Sequence, residues 1–511
     1  MLFKICEQEP ENYTKNTGYL IKDNWDDWFT YSTMFSFIFV DKNGIKHKLG
    51  SVKLGEVDMD KNNQRSPDLP LEFEKLSERF FSLGQSDYYY QRINKLGEDI
   101  RKKILTSLND IAFNEEILQL AIKQHVTNIS LLRDVSLNTV KGQFNRMANG
   151  GARLTEYNFI YNAPKDAQAS SDPIKLEFVV VPESNPPTNV HVLIGRNGVG
   201  KTHLMQNMIK ALICDNSRED TGSFNMGRNL FSKIVLVAFS AFDEFKPIEI
   251  KKDNAQKIPF IHIGLKKGKV EDEQNLISES NPLISKEINK ELNKEFIKSL
   301  KVCVSPSKRR LWIDAINILE SDPIFKEANI KNILSIRDQE KFEIYTNSLF
   351  NKLSSGHKII ILTITRLIEN VEEKTLVFLD EPEVHLHPPL LSAFIRALSN
   401  LLISRNGVAI IATHSPVILQ EVPKKCVWKL RRVGREAIAE RLEIESFGEN
   451  IGSLTSEVFG YEVTNSGFHN ILSNLAEKYN DYKKIVSYFN DELGIEAKAI
   501  LRSLIIKEED E

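Results

Sequence analysis

Cysteine and long hydrophobic runs are both scarce in this sequence. The four cysteines are scattered without CxxC spacing: Cys6, Cys214, Cys303 and Cys426. This pattern argues against a zinc site or a disulfide framework and indicates a reducing compartment. Lys358 and Arg366 interrupt the longest candidate for a membrane span. The amino terminus, MLFKICEQEPENY, is too acidic and too short in apolar residues for a signal peptide. We therefore expect a soluble cytoplasmic protein without a membrane segment.

An excess of positive charge is also lacking. The formal net charge is −3, from 67 Lys and Arg against 70 Asp and Glu, so nucleic acid could be bound only by a local cluster. Candidate clusters for nucleic acid or a partner protein are Lys251, Lys252, Lys257, Lys266, Lys267 and Lys269, and separately Lys308, Arg309 and Arg310. A lysine run is more often a solvated face, and both interpretations stay open.

The order of apolar patterns along the 511 residues predicts an α/β protein with several segments. Two strand-like runs at 35–56 enclose a Gly-containing turn and indicate a β-hairpin. We divide the chain into an N-terminal β element (1–60), a helical segment (61–150), a first lobe with a glycine loop (151–245), a helical and lysine-rich insertion (246–340), a second lobe (341–446) and a helical C-terminal segment (447–511).

The strongest motif is GRNGVGKT, from Gly195 to Thr202, which fits G-x-x-x-x-G-K-[ST]. A buried-type strand precedes it and an amphipathic helix follows it, which is the context of a phosphate-binding loop. We expect Lys201 to reach the phosphates of ATP and the Thr202 hydroxyl to bind Mg²⁺. The predicted nucleotide-binding residues here are Asn197, Gly198, Gly200, Lys201, Thr202 and His203. The alternative is a glycine turn without a ligand.

Two further motifs end apolar strands in polar residues. TLVFLDEPEVHLHPP (375–389) places Asp380 and Glu381 at a strand end, where Asp380 can hold magnesium and Glu381 can polarise the attacking water. AIIATHSPV (409–417) places His414 where it can sense the γ-phosphate. Solvated acids and a structural histidine are the alternative interpretations.

The order of phosphate loop, LSSGH, LVFLDEP and THS resembles the ABC-type ATPases, and within them the SMC and OLD-like branch with its EPExxLHP block. That block comprises Glu381, Pro382, Glu383, Leu386, His387 and Pro388. The resemblance implies a P-loop head with a mixed β-sheet core flanked by helices, an antiparallel β subdomain, and helical N-terminal, insertion and C-terminal segments.

In that family the signature motif binds the γ-phosphate held by the other subunit, which implies a homodimer closed around ATP. Here the resemblance assigns this contact to Ser354, Ser355 and Gly356, with Ser355 in place of a glycine and His357 in place of the usual glutamine. A helix cap without a ligand is the alternative. The expected glutamine after the second core strand is missing, and Ser240 or Asp243 is the candidate metal-shell replacement.

About 150 residues without heptads separate the phosphate loop from the signature, which is too few for SMC arms. The chain also lacks recognisable nuclease motifs. Among the relatives it is most similar to the ATPase subunits of Septu-type bacterial antiphage defence, including retron-associated forms. This similarity implies a regulatory ATPase with an HNH nuclease partner and, for retrons, a reverse transcriptase with its DNA–RNA product. The alternatives are an SMC-like DNA-repair or chromosome-handling ATPase and a nucleotide-gated scaffold with little turnover.

Overall fold

The computed structural model describes most of the chain in a mixed α/β fold. The described residues are 1–23, 30–60, 64–165, 172–213, 218–225, 230–238, 258–264, 282–336, 338–384, 386–433, 436–464 and 467–509. Several predicted positions therefore lie outside the described residues: Ser240, Asp243 and the lysine cluster at 251–269.

A six-stranded sheet forms the centre of the N-terminal body. Its strands are β1 (Leu2–Cys6), β2 (Thr17–Lys22), β3 (Met34–Val40), β4 (Lys46–Glu56), β5 (Glu72–Phe73) and β6 (Phe80–Gly84). The order is β5-β1-β2-β3-β4-β6, and only the β1–β2 pair is parallel among these neighbours. The antiparallel β3–β4 pair confirms the hairpin predicted at 35–56.

Short helices pack on this sheet and share its core. They are α1 (Asp87–Asn94), α2 (Glu98–Ser107), α3 (Glu115–Ala121), α4 (Leu137–Thr139) and α5 (Asn145–Ala148), with π-helical turns at Thr127–Leu131 and Val140–Phe144. One apolar cluster runs from Phe3 on β1 to Ala148 on α5. The predicted boundary at residue 60 is therefore wrong as a packing boundary, because β5 and β6 complete the sheet beyond it.

Within the described part of the chain, ten further strands build two sheets. They are β7 (Tyr157–Asn162), β8 (Lys175–Val180), β9 (Val190–Ile194), β10 (Ser223–Asn225), β11 (Lys233–Ala238), β12 (Phe260–Ile263), β13 (Thr375–Asp380), β14 (Val408–Thr413), β15 (Val427–Val433) and β16 (Glu436–Glu440). The small sheet is antiparallel, in the order β10-β7-β8. The large sheet has the order β12-β11-β13-β14-β9-β15-β16 and is parallel except at β15–β16.

Helices cover both faces of the large sheet, as the continuous apolar runs of its central strands require. They are α6 (Lys201–Ile213), α7 (Arg218–Thr221), α8 (Pro282–Cys303), α9 (Pro306–Leu319), α10 (Pro323–Glu327), α11 (Gln339–Lys352), α12 (Ser355–Asn370), α13 (Pro388–Ser404) and α14 (Pro416–Leu419), with 3₁₀ turns at Ile330–Ser335 and Lys424–Cys426. The last helices are α15 (Ile451–Thr464), α16 (Gly467–Tyr479), α17 (Tyr482–Tyr488) and α18 (Ile495–Glu509). Among the described helices, none has the length and hydropathy of a membrane span.

The two faces of the large sheet carry different helices. Leu193, Leu236 and Phe378 pack with α6 on one face. Their strand neighbours Val192 and Leu379 point the other way, into a core shared with α8, α9, α12 and α13. The phosphate-loop helix and the helix that follows LSSGH therefore lie on opposite faces.

The range predicted as an insertion contributes to the core of the large sheet instead. β12 pairs in parallel with β11 at the edge of the large sheet. Trp312 on α9 is fully buried, and its indole N–H donates to Thr365 Oγ1 at 3.1 Å. Because this range supplies a strand and core side chains, its description as a separate helical insertion needs correction.

The second basic cluster does not form a free cationic surface. Lys308 Nζ donates to the Glu369 carbonyl at 2.7 Å, and burial lowers the pKa of Lys308. The Arg310 guanidinium lies 3.9 Å from the centre of the Tyr88 ring on α1. Lys308 therefore holds α9 to its neighbours, whereas Arg309 and Arg310 are exposed, so a binding role of this cluster stays a prediction for those two arginines alone.

A buried ion pair docks the N-terminal body onto the large sheet. Arg146 of α5 contacts Glu373 at 2.7 Å, and the Glu373 side chain is only 3% exposed. A Cβ atom at Gly142 would lie 2.2 Å from the same carboxylate. Glu373 precedes β13, so this contact lies at the end of the strand opposite Asp380.

Candidate functional site: a phosphate loop beside an acidic strand end

The phosphate loop joins β9 to α6 through two glycines in left-handed backbone. Gly198 has a φ of +81° and Gly200 a φ of +96°, and a Cβ atom at either position would meet nothing within 4 Å. Gly195 is constrained differently, because a Cβ atom there would lie 2.5 Å from the Leu430 carbonyl oxygen. The loop therefore has an open concave side, as a phosphate cradle requires.

Lys201, the first residue of α6, is folded into this loop. Its Nζ donates to the carbonyl oxygens of Gly195 at 3.0 Å and Arg196 at 3.1 Å, and the residue is 4% exposed. Burial lowers the pKa of Lys201, and the nearby carboxylates, with Glu381 the strongest, oppose that shift. A desolvated ammonium at a helix N-terminus is suited to a phosphate anion.

Thr202 and Asp380 come together from different elements. The Thr202 hydroxyl on α6 donates to Asp380 Oδ1, at the end of β13, at 3.1 Å. Asp380 is 4% exposed, and two oxygen donors held at this distance suit the shell of a hard cation such as Mg²⁺. The other predicted loop residues are peripheral: Asn197 and His203 are exposed, and His203 contacts Asn207 of its own helix at 3.2 Å.

Glu381 and His414 lie side by side because β13 and β14 are parallel neighbours. The Glu381 amide donates to the Ala412 carbonyl at 2.9 Å, and Glu381 adopts a φ of +42°. Its carboxylate lies 3.6 Å from His414 Nδ1 and 3.9 Å from Lys201 Nζ. The Glu381 side chain remains 31% exposed, so its carboxylate is accessible to water.

Glu383 is the residue that the sequence analysis named within a motif without giving it a role. Its Oε1 accepts hydrogen bonds from the Thr413 hydroxyl at 2.5 Å and from the His414 amide at 2.8 Å. The same oxygen lies 3.2 Å from His414 Nδ1. The second glutamate after Glu381-Pro382 was the available signal, but only the structure shows that it anchors the end of β14.

The signature stretch begins α12. Ser354 occupies the N-cap position, Ser355 is exposed and Gly356 is buried. The Ser354 hydroxyl makes no capping bond to the helix backbone and lies 2.6 Å from His357 Nδ1 instead. His357 also contacts Asp322, a residue that the sequence analysis did not single out.

The residues at this site are chemically suited to a nucleoside triphosphate with Mg²⁺. The open glycine loop and Lys201 suit the phosphates, and the Thr202–Asp380 pair suits the ion. These groups lie at the carboxyl ends of three neighbouring parallel strands, β13, β14 and β9. Open α/β sheets bind ligands at the carboxyl ends of their strands.

Comparisons with known proteins agree with a P-loop ATPase domain. Residues 223–420 match the AAA_21 family, described as "AAA domain, putative AbiEii toxin, Type IV TA system". Protein ea59 of Escherichia phage lambda is 40% identical over 520 aligned residues, which cover 97% of this chain and 96% of that protein. A solved structure described as a metal-chelate type ABC transporter covers 59% of this chain and 89% of its own, at 13% identity and a TM-score of 0.30.

Proposed function

Because this chain belongs to the family of phage lambda protein ea59 and contains an AAA-type P-loop ATPase domain, we propose that it binds ATP with Mg²⁺ and hydrolyses it. The observation that supports this most strongly is the convergence of Lys201, Asp380 and Glu381 at the carboxyl ends of the central strands of the large sheet. A scaffold without turnover would not need a carboxylate such as Glu381 that is accessible to water beside a buried lysine.

Each residue has a separate task in this proposal. The glycine loop and Lys201 bind the phosphates, and Thr202 and Asp380 hold Mg²⁺, which neutralises charge on the phosphate oxygens. Glu381 accepts a proton from the attacking water. His414 orients that water, and Glu383 is a positioning residue because it accepts a hydrogen bond from the His414 amide and lies 3.2 Å from the His414 ring.

Glu381→Gln tests the hydrolytic role. The amide keeps the size of the side chain and removes the base, so turnover should fall on the order of a hundredfold or more while nucleotide binding survives. Phosphate release and binding of a fluorescent ATP analogue measure the two effects separately. Glu440→Gln on the edge strand β16 is the matched control, and equal turnover in both variants would overturn the assignment of Glu381.

We further propose that two copies of the chain close around ATP. Support comes from the placement of α6 and α12 on opposite faces of one sheet, which suits a loop and a signature that serve different nucleotides. In this arrangement Ser354, Ser355 and Gly356 would contact the nucleotide in the phosphate loop of the partner. The exposed Ser354 at a helix N-terminus is suited to that contact.

Two inactive variants test the shared site. Ser354→Arg should block closure and spare nucleotide binding, whereas Lys201→Ala should weaken binding itself. A mixed dimer places both lesions in one composite site and leaves the second site intact. Since about half of the dimers are mixed and each retains one of two sites, roughly a quarter of the ATPase activity should return. Normal hydrolysis by Ser354→Arg alone would contradict the dimer.

The finer proposal is that this ATPase regulates a nuclease carried by another chain in a defence complex, as in the Septu-type systems. Support comes from the motif order and from the family description, which names a toxin and a toxin–antitoxin system. An HNH nuclease is the proposed partner, with a reverse transcriptase and its DNA–RNA product in a retron-associated form. Purification of the native complex with identification of its proteins and nucleic acid tests this. Divalent-cation-dependent DNA cleavage by the purified chain, abolished by a substitution within it, would contradict the proposal.

A further inference from the structure

Three side chains that the proposed ATPase reaction does not use converge where α10, α12 and α13 begin. Asp322 is the N-cap of α10, His357 lies in the first turn of α12, and His387 is the N-cap of α13. His357 Nε2 lies 3.1 Å from Asp322 Oδ1, and His387 Nε2 lies 3.3 Å from Asp322 Oδ2. We propose that these three residues bind a divalent transition-metal ion of the Zn²⁺ class.

The distances between the side chains fit a common ion. Imidazole nitrogen and carboxylate oxygen bind Zn²⁺ at about 2.0–2.2 Å, so tetrahedral ligand atoms lie roughly 3.3–3.6 Å apart. The contacts of 3.1 and 3.3 Å, which run to the two different oxygens of the Asp322 carboxylate, are close to that separation. With one ligand atom taken from each of the three residues, all three atoms lie within 4.8 Å of one another. Two histidines with one carboxylate suit zinc, cobalt or nickel rather than Mg²⁺ or Ca²⁺.

The burial pattern also fits an ion with an accessible coordination position. The side chains of His357 and Asp322 are 4% and 6% exposed, whereas that of His387 is 49% exposed. The buried pair fixes two ligands, and the exposed imidazole leaves room for a water ligand and for access of the ion. The expectation of no zinc site came from the scattered cysteines alone, and it therefore holds for thiolate ligands and not for this set of two histidines and an aspartate.

Outer contacts hold two of the ligands in place. The Asp322 Oδ1 atom accepts hydrogen bonds from the amides of Ile324 and Phe325 at 2.9 and 3.3 Å. The Ser354 hydroxyl lies 2.6 Å from His357 Nδ1, the ring nitrogen opposite the proposed ligand atom. Metal-binding histidines commonly donate a hydrogen bond from that second nitrogen, which fixes the tautomer and the ring orientation.

Occupancy of this site has a consequence for the signature serine, and this step rests on the proposed function. With the ion on His357 Nε2, the proton must reside on Nδ1 and point at the Ser354 oxygen. The hydrogen of the Ser354 hydroxyl is then free to donate to a phosphate. Without the ion, a His357 protonated only at Nε2 accepts that hydrogen itself. The histidine in place of the usual signature glutamine therefore links the proposed metal site to the proposed nucleotide contact.

A cobalt titration of the chelator-treated full-length chain, without nucleotide, tests the site. Co²⁺ bound by this set should give the visible absorption of tetrahedral cobalt at one equivalent per chain, and Zn²⁺ should abolish it. His387→Asn should lose the signal, since asparagine keeps a good helix N-cap but removes the imidazole. Glu381→Gln should retain the signal, which separates this site from the ATPase acids.

His47→Asn is the matched control. His47 Nε2 also lies 3.1 Å from a carboxylate, that of Asp41, but this pair belongs to no three-ligand group among the described residues. The variant should therefore bind cobalt normally. A wild-type chain that does not bind Co²⁺, or a signal that persists in His387→Asn, would show a hydrogen-bonded triad without an ion. Because the titration contains no ATP, its result does not depend on ATP hydrolysis.

Discussion

His191, in the middle of the strand that leads into the phosphate loop, should make the protein less stable in weak acid. The residue is fully buried, and neither ring nitrogen has a hydrogen-bond partner among the described residues. Its ring packs against that of Phe178 in a T-shaped arrangement, with the two ring centroids 5.2 Å apart. Burial, with a smaller contribution from Arg441, lowers the pKa of His191 to about 3.

The sign and size of the effect follow from this pKa. An unfolded histidine titrates near pH 6.5, so below that pH the unfolded chain binds a proton that the folded chain does not. The contribution of His191 to stability is therefore complete above pH 6.5 and is lost as the pH falls towards 3. Between pH 7.5 and 5.5 this single residue should lower the free energy of unfolding by about 1.4 kcal/mol.

His191→Leu isolates this contribution from those of all other titrating groups. One of them, Asp110, contributes a pH dependence of stability with the opposite sign. Burial raises the pKa of Asp110 to about 7, so it favours the folded state as the pH falls. The difference in free energy of unfolding between wild type and His191→Leu should change by about 1.4 kcal/mol between the two pH values. Urea unfolding measures the difference, and hydrogen exchange of peptide 188–195 locates it. A difference that does not change with pH would refute the reasoning.

Two further predictions concern contacts described above. Glu383→Ala should lower turnover by roughly tenfold to a hundredfold with little change in KM, because His414 loses its anchor. Glu383→Gln should restore much of the turnover, because its amide oxygen can accept the same hydrogen bond. Steady-state kinetics distinguish the two variants, and a raised KM alone would contradict the positioning role. Arg146→Met should lower the free energy of unfolding by about 3 kcal/mol, because it leaves Glu373 buried without its partner. The double variant Arg146→Met with Glu373→Met should recover most of that loss. Equal destabilisation of the single and double variants would argue against the ion pair as the cause.

The large sheet was the part that the sequence predicted best, for a physical reason. Strands β9, β13 and β14 are buried on both faces and therefore appear as short continuous apolar runs ending in polar motifs. Helix α13 also has a clear pattern in the sequence, because Pro388 and Pro389 begin it and its apolar positions repeat every three to four residues.

The errors have an equally physical cause, which is that they depend on contacts between distant segments. The strand β12 is four residues long and exists only through pairing with β11. Lys308 looked like part of a cationic surface, and its burial depends on the helices packed around α9. Likewise, the link from Ser354 to His387 through His357 and Asp322 joins residues that the linear motif keeps apart.

Gly142 lies at a contact that should make two parts of the chain evolve together. Its missing side chain makes room for the Glu373 carboxylate, which in turn needs Arg146 from the next turn. A related protein that acquired a different N-terminal body by recombination would bury this acid without a counter-charge unless Glu373 changed as well. Gly142, Arg146 and Glu373 should therefore be gained and lost as a set across the family, so this contact marks a junction at which the gene cannot be cut and rejoined freely.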